Sequence, residues 1–460
     1  MAAATNQVKP TFLPFRQILT LFIGLARLLQ ASAKDAAYDA LGRHPPSKCH
    51  PGTRLETIQT IEHWIMNHKN KTITNIIDLQ SVFWLHGPAG SGKSAVAQTI
   101  CESSAGRNHL LASFFFMRGS PDRGTIRNFI PTLALQVSTS RTDLRQHIGR
   151  AIEADLTVLH RSTSTQLTKL IIEPLRSSTP SSAPFLVIID GLDECEGKDH
   201  QLQILSHISA LTTKHHLPVR FLIASRPEPH IKHFFDLSIN QNSSIALSIY
   251  GHRADYGDVY KYLRSQFDEI SASERHASTL AHIRKPWPPD DIVHHLSRKS
   301  DGYFIYASTL LKYIDDGFSP CTKRLQEVLQ AAGPSSTAFG ELDKLYNQIL
   351  STSPNFQLLS RALGCLIFLP KYKLLQSPQT IEGVLGLWPG EGMTIFRGLH
   401  AVLDFNHETV TPIHASFSDF LFDESRSNRF YIDPQICHVD IMLCILRLIT
   451  HWEPKEGDMK

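Results

Sequence analysis

No two of the seven cysteines (Cys49, Cys101, Cys195, Cys321, Cys365, Cys437 and Cys444) stand in CxxC spacing, and their number is odd. That argues against a zinc ribbon or a disulfide framework and for a reducing compartment, so a cytoplasmic protein is expected. The 24 histidines include no HExxH. His215-His216 and His294-His295 are adjacent pairs, and helical neighbours at that spacing point to different sides. Charge of one sign is also lacking: a formal net +3 over 460 residues gives no reason to expect a nucleic-acid groove or a polybasic membrane surface. A long apolar run is missing as well. Ile18 to Ala26, between Arg16 and Arg27, falls short of the roughly 20 residues that span a bilayer. It reads as an amphipathic helix within residues 11–33 that contacts the body, a partner or a membrane surface. Ala31-Ser32-Ala33 resembles a signal-peptidase site. Export is the lesser alternative, since ATP chemistry downstream and unpaired cysteines suit the cytosol. No period of about 20 to 50 residues is visible, which excludes a solenoid within this chain.

What remains is a globular composition, 42% hydrophobic and 19% charged, with length enough for about two to four domains. Four apolar runs are spaced by helical stretches: Ser81 to His86, Leu111 to Phe116, Phe185 to Ile189 and Arg220 to Ala224. Ser244 to Tyr250 is a fifth candidate. Runs without alternation signify a parallel sheet buried on both faces. Right-handed crossovers then give a doubly wound α/β domain with its ligand at the carboxyl ends of the strands. From about residue 252 the pattern turns helical, with Tyr256 to Phe267, Ile292 to Leu296, Phe304 to Ile314 and Leu325 to Leu329. Ala332 to Ser336 reads as a linker. Leu342 to Leu350, Leu358 to Phe368 and Thr380 to Leu387 follow, then a β-like stretch from Val402 to Thr411 and a helix from Ile413 to Phe422.

Gly87-Pro88-Ala89-Gly90-Ser91-Gly92-Lys93-Ser94 matches GxxxxGK[ST] completely. Glycines let main-chain N–H groups wrap phosphates, and the following helix turns its N-terminal dipole to the anion. Lys93 is placed to reach the β- and γ-phosphates, and the Ser94 hydroxyl to bind Mg²⁺. Asp190 ends an apolar run, where a carboxylate is costly unless paired or near a metal. It is the candidate Mg²⁺-side acid, with Gly191 keeping the backbone close. Asp193 and Glu194 lie within one turn, and either is suited to polarise an attacking water. Arg226, after the next strand, is a candidate for the γ-phosphate or the developing charge. Arg118, Arg123 and Arg127 lie on the same edge and are candidates for contact with phosphate or a neighbouring subunit.

Together GPAGSGKS, FLVIIDGLDE and IASRPE resemble the NACHT domain of STAND signalling ATPases, particularly the fungal NACHT proteins. Cys49 to Arg54, followed by Trp64, is similar to the segment that lies near the adenine in that family, which implies Thr53 and Arg54 as contacts. Ile413-His414-Ala415-Ser416-Phe417-Ser418-Asp419-Phe420 resembles its winged-helix signature, in which a histidine reads the β-phosphate of ADP; His414 aligns with it. Asp301 to Ala307 looks like the intervening helical domain. The resemblance implies a nucleotide-binding domain 47–250, a helical domain 251–335 and a winged helix 336–435, which leaves an N-terminal helical segment 1–46 and the start of a further helical segment or tail 436–460. It implies ATP/ADP and Mg²⁺ as ligands, slow hydrolysis coupled to opening, self-association, an effector or sensor protein as partner, and a place in signal transduction such as innate immunity. The C-terminal repeat sensor common in that family is not evident. A nucleotide-holding scaffold without hydrolysis, and a P-loop phosphotransferase, are the alternatives. ATP and GTP are not distinguished.

Overall fold

The computed structural model describes residues 15–66, 80–177, 184–237, 243–249, 254–330, 340–353, 355–368, 377–406 and 409–450. The 332–336 linker expectation lies outside them.

The five apolar runs form one parallel sheet: β1 (Val82–His86), β2 (Leu110–Phe115), β3 (Phe185–Asp190), β4 (Val219–Ser225) and β5 (Ser244–Ser248), in the order β2-β3-β4-β1-β5. β4 pairs with both β1 and β3, so His86 lies opposite Ser225 and Asp190 opposite Ala224. The P-loop strand, the acid-bearing strand and the arginine-bearing strand are thus neighbours whose carboxyl ends share one edge.

β1 to β4 lack alternation because each feeds two apolar layers, whereas the edge strand β5 alternates and turns only Ile245 and Leu247 to one of them. Val82, Trp84, Val187, Ile189, Phe221 and Ile223 enter one core with Phe129, Ile148 and Ile204. Phe83, Leu85, Leu186, Ile188 and Leu222 enter the other, against Trp64, Val96 and Ile100. The first layer holds the helices α1 (Phe15–Gln30), α4 (Phe129–Ser140), α5 (Thr142–Ala154), α6 (Lys198–Ser209) and α7 (Pro229–Asp236). The second holds α2 (Leu55–Met66) and α3 (Lys93–Gly106). The architecture is the expected doubly wound α/β sheet of P-loop nucleoside triphosphatases.

The N-terminal helix packs on the body. Leu28 is fully buried, and Gly24 lies against the backbone of Gly149 in α5. The Ala31-Ser32-Ala33 stretch is built into the fold: Ala33 N–H donates to Thr132 Oγ1 at 2.8 Å, and Ser32 and Ala33 are buried. Among the described residues no helix is long and apolar enough to cross a membrane.

Beyond β5 the chain is helical: α8 (Ala254–Ala272), α9 (Asp290–Lys299), α10 (Phe304–Ile314), α11 (Cys321–Gln330), α12 (Gly340–Leu350), α13 (Phe356–Phe368) and α14 (Pro378–Leu385). The β-like stretch near 402–411 is two short strands, β6 (Leu403–Asn406) and β7 (Thr409–Pro412), paired antiparallel. They are followed by α15 (Ala415–Leu421) and α16 (Pro434–Thr450). One apolar cluster runs unbroken from Val259 through Tyr346 and Phe417 to Cys444.

Candidate functional site

The edge holding the ends of β1, β3 and β4 opens into a cavity of about 400 Å³. Its wall includes Lys93, Ser94, Asp190, Glu194 and Arg226 from the sheet domain, Phe304 and Ile305 from α10, and His414 at the start of α15. Two stretches that the sequence separates by about a hundred residues therefore face each other across one hollow.

Backbone freedom builds the loop. Gly90 has φ +73°, and a Cβ there would run into the side chain of Ile305; its carbonyl accepts Ile305 N–H at 3.3 Å. Gly92, φ +94°, caps α3. Ser91 Oγ donates to Pro88 O at 2.9 Å, and Lys93 Nζ donates to Gly87 O and Pro88 O, each at 2.8 Å. Burial pulls the Lys93 ammonium down to about 8, against the opposing fields of Asp193 and Asp190.

Asp190 is buried and hydrogen-bonded to Ser94, which donates its hydroxyl. Its Oδ1 is buried without a hydrogen-bond partner. Burial raises its carboxyl to about 6, with the Ser94 bond and Lys93 pulling the other way. A hydroxyl beside a carboxylate with an unspent oxygen, in an oxygen-only pair next to a phosphate loop, fits the sparse protein ligation that Mg²⁺ accepts. The predicted pair is thus adjacent.

The two acids that follow differ in what they hold. Gly191, φ +69°, turns the chain just after Asp190 and opens a short 3₁₀ turn over Leu192–Glu194. Asp193 is committed to Arg226: Oδ1 accepts the Arg226 main-chain N–H at 2.9 Å, and Oδ2 sits 3.3 Å from Nε. Glu194 accepts only the main-chain N–H of Arg118, at 3.1 Å, among its hydrogen bonds between described residues. Burial, with Asp193 adding, raises Glu194 to about 7.

Arg226 is shared. Besides Asp193 it reaches Asp419 of α15, Nη1 to Oδ2 at 2.6 Å, and Arg118 Nη1 donates to the other oxygen of Asp419 at 3.1 Å. Burial works against the Arg226 charge, but Asp419 and Asp193 outweigh it and hold the group above its ordinary value. Arg123 is tucked against Met117 and Arg127 is exposed.

His414 caps α15. Its Nδ1 accepts Ser416 N–H at 3.1 Å, so in the neutral ring the proton resides on Nε2. Burial, reinforced by Arg226 and Lys93, pulls the imidazole down to about 4, so at neutral pH it is an uncharged ring with one donor to offer.

Thr53 and Arg54 also line the cavity, yet their polar atoms are largely engaged. Thr53 Oγ1 donates to His50 O at 2.7 Å. Arg54 donates to Ser91 O at 2.9 Å, Ile249 O at 3.3 Å and Gly302 O at 3.4 Å, and its main-chain N–H donates to Asp258 at 2.7 Å. It rivets the P-loop and β5 to the helical part. Sequence reasoning gave no role to Asp419 or to Tyr262, Phe304 and Lys312 in the wall. Asp419 lay inside the quoted C-terminal segment, but its partner is 193 residues away.

The sequence profile described as nephrocystin 3, N-terminal, matches residues 60–226, from α2 to Arg226 and less than half of the chain. No curated protein matches. Among solved structures, Cdc6p from Pyrobaculum aerophilum is similar at 13% identity and TM-score 0.35, over 87% of this chain and 97% of its own. The Aeropyrum pernix ORC2 protein, in ADPNP-ADP complexes, is similar at 10% identity and TM-score 0.38, over 88% and 97%. Drosophila ORC bound to DNA is similar at 11% identity and TM-score 0.37, over 83% and 100%. The strand order, the complete loop motif and the Ser94–Asp190 pair make residues 80–249 a P-loop nucleoside-triphosphatase fold.

Proposed function

We propose that this chain is a nucleotide-controlled signalling switch of the STAND class, which binds ATP or ADP with Mg²⁺ and hydrolyses ATP slowly. One observation carries the reading: a single cavity takes its wall from the P-loop, from α10 and from His414. Any occupant of it couples three parts of the chain. In this reading 47–250 binds nucleotide, 251–335 is the helical domain and 336–435 the winged helix, with 1–46 an N-terminal helical segment and 436–460 the start of a further helical segment or tail.

The main-chain amides of residues 87–94 and Lys93 hold the phosphates, and Ser94 and Asp190 hold Mg²⁺. The ion, when bound, neutralises charge on the transferred phosphoryl group. Glu194 accepts a proton from the attacking water while Asp193 fixes Arg226 against the γ-phosphate. Nε2–H of His414 donates to the β-phosphate of ADP and draws α15 onto the site. Thr53 and Arg54 shape the nucleotide end of the cavity from beside the base. A tenfold shift between closed and open forms needs only about 1.4 kcal/mol of differential binding, within reach of one charge-assisted hydrogen bond.

The open form self-associates and meets an effector or sensor protein. The near-neutral charge leaves nucleic acid out of the proposed partners; fluorescence anisotropy with duplex DNA at low salt tests that exclusion. The function itself is tested by mass spectrometry of the nucleotide that co-purifies, with Lys93→Ala beside it. Retention of ADP by the variant would refute the site. Phosphate release absent over hours, and unchanged in Glu194→Gln, would favour a nucleotide-holding scaffold. Transfer of label to an acceptor other than water would favour a phosphotransferase.

A further inference from the structure

The carboxylate of Asp419 is gripped from two sides, by Arg226 at 2.6 Å and Arg118 at 3.1 Å. The two arginines follow β4 and β2, and Arg226 lines the cavity with Lys93, Asp190 and Glu194. Paired guanidinium forks that hold a carboxylate also suit a phosphate, because both anions offer oxygens to parallel N–H donors.

Arg226 already turns two of its three nitrogens to carboxylates. Its Nε side faces Asp193, with 3.3 Å between Nε and Oδ2, and its Nη1 is taken by Asp419.

The mount of Asp419 is stiff. Phe417 and Phe420, on the same helix, are buried against the Tyr346 ring, with centroids 5.2 Å away in both cases. Tyr346 Oη and Ser416 Oγ are 2.9 Å apart, and His414 caps the helix start. One short helix thus brings two groups to the site: a neutral imidazole at its N-cap and a carboxylate on its second turn.

We infer that Asp419 is a specificity-determining residue that makes the closed arrangement select a diphosphate tail over a triphosphate. This deepens the proposed switch and rests on it. A diphosphate leaves the Asp419–Arg226–Arg118 bridge whole. A third phosphate both competes for Arg226 and brings negative charge toward the Asp419 carboxylate, so the bridge and the triphosphate oppose each other.

The test is titration calorimetry of the full chain with ADP and with a non-hydrolysable ATP analogue, in Mg²⁺, for the wild type and for Asp419→Asn, Asp419→Ser and Asp419→Glu. Loss of the charge should raise the triphosphate-to-diphosphate affinity ratio by about tenfold or more, within the usual range of coupling between ligands. Asp419→Glu, which keeps the charge, should stay near the wild-type ratio. A ratio that moves by less than about twofold in both uncharged variants overturns the inference while leaving the switch in place. An equal rise in Asp419→Glu overturns it too, because packing rather than charge would then set the ratio. A wild-type chain that binds neither nucleotide overturns the switch and the inference together.

Discussion

Arg54 donates to Ser91 O at 2.9 Å from a buried guanidinium that also reaches the carbonyl of Gly302. The residue itself has φ +55°, a left-handed conformation that side-chain-bearing residues seldom adopt. The chain accepts that strain where one side chain ties the phosphate loop to the helical part. Arg54→Met should strip charged donors from buried carbonyls and cost about 3 kcal/mol of stability. Paired denaturant melts and nucleotide titrations check this, and nucleotide affinity should fall alongside stability.

Glu194→Gln should slow hydrolysis by about 10² to 10⁴ while nucleotide binding persists. In the wild type, with Glu194 raised to about 7, the rate should climb as pH passes through 7 and then level off. Asp193→Asn should behave differently, since it loosens Arg226. Single-turnover phosphate release separates the two variants.

His414 supplies a pH test of stability. Its folded value near 4 lies below the unfolded value of about 6.5. As pH falls below 6.5 the unfolded chain takes up a proton that the folded ring refuses, so stability is lost between 6.5 and 4 and levels off below. The loss is at most about 3 kcal/mol. His414→Asn retains a capping side chain and should flatten that part of the profile, measured as the wild-type-minus-variant unfolding free energy in nucleotide-free protein.

Gly90→Ala should cost about 1 to 3 kcal/mol, because the new methyl meets Ile305 at a φ of +73°. Ile305→Ala added to it should recover only the γ-carbon part of the clash, since the Cβ of residue 305 still lies 2.6 Å from the new methyl, and should leave the backbone share. A double-mutant cycle on thermal unfolding reads both.

Much of the sheet was legible because strands buried on two faces cannot hide: Val82 to Leu85 and Phe185 to Ile189 are apolar throughout and give way to the polar His86 and Asp190. The phosphate loop and Asp190 were legible for a related reason, since their chemistry is local to a few consecutive residues. The stretch from Val402 to Thr411 read as a single β segment and is a hairpin. The helices between Phe129 and Ser177 were read only as helical stretches without bounds: α4 is buried at most positions and shows no single stripe, whereas α5 carries Leu144, Ile148 and Ile152 at helical spacing, a signal that was there to read. Asp419 could not be read at all. It lies within the Ile413–Phe420 signature, but its meaning comes from two arginines that follow distant strands, which nothing in its own helix reveals.

The segment between α1 and α2 has a practical bearing. Tyr38 N–H donates to Ser113 in β2, and Arg43 reaches Gln98 in α3 while its guanidinium stacks 3.5 Å from the Phe115 ring. A recombinant fragment trimmed to start at the glycine-rich loop would strip these ties from the very strand and helix that shape the pocket. Expression boundaries for biochemical work therefore belong ahead of the first helix, however unremarkable that region looks on paper.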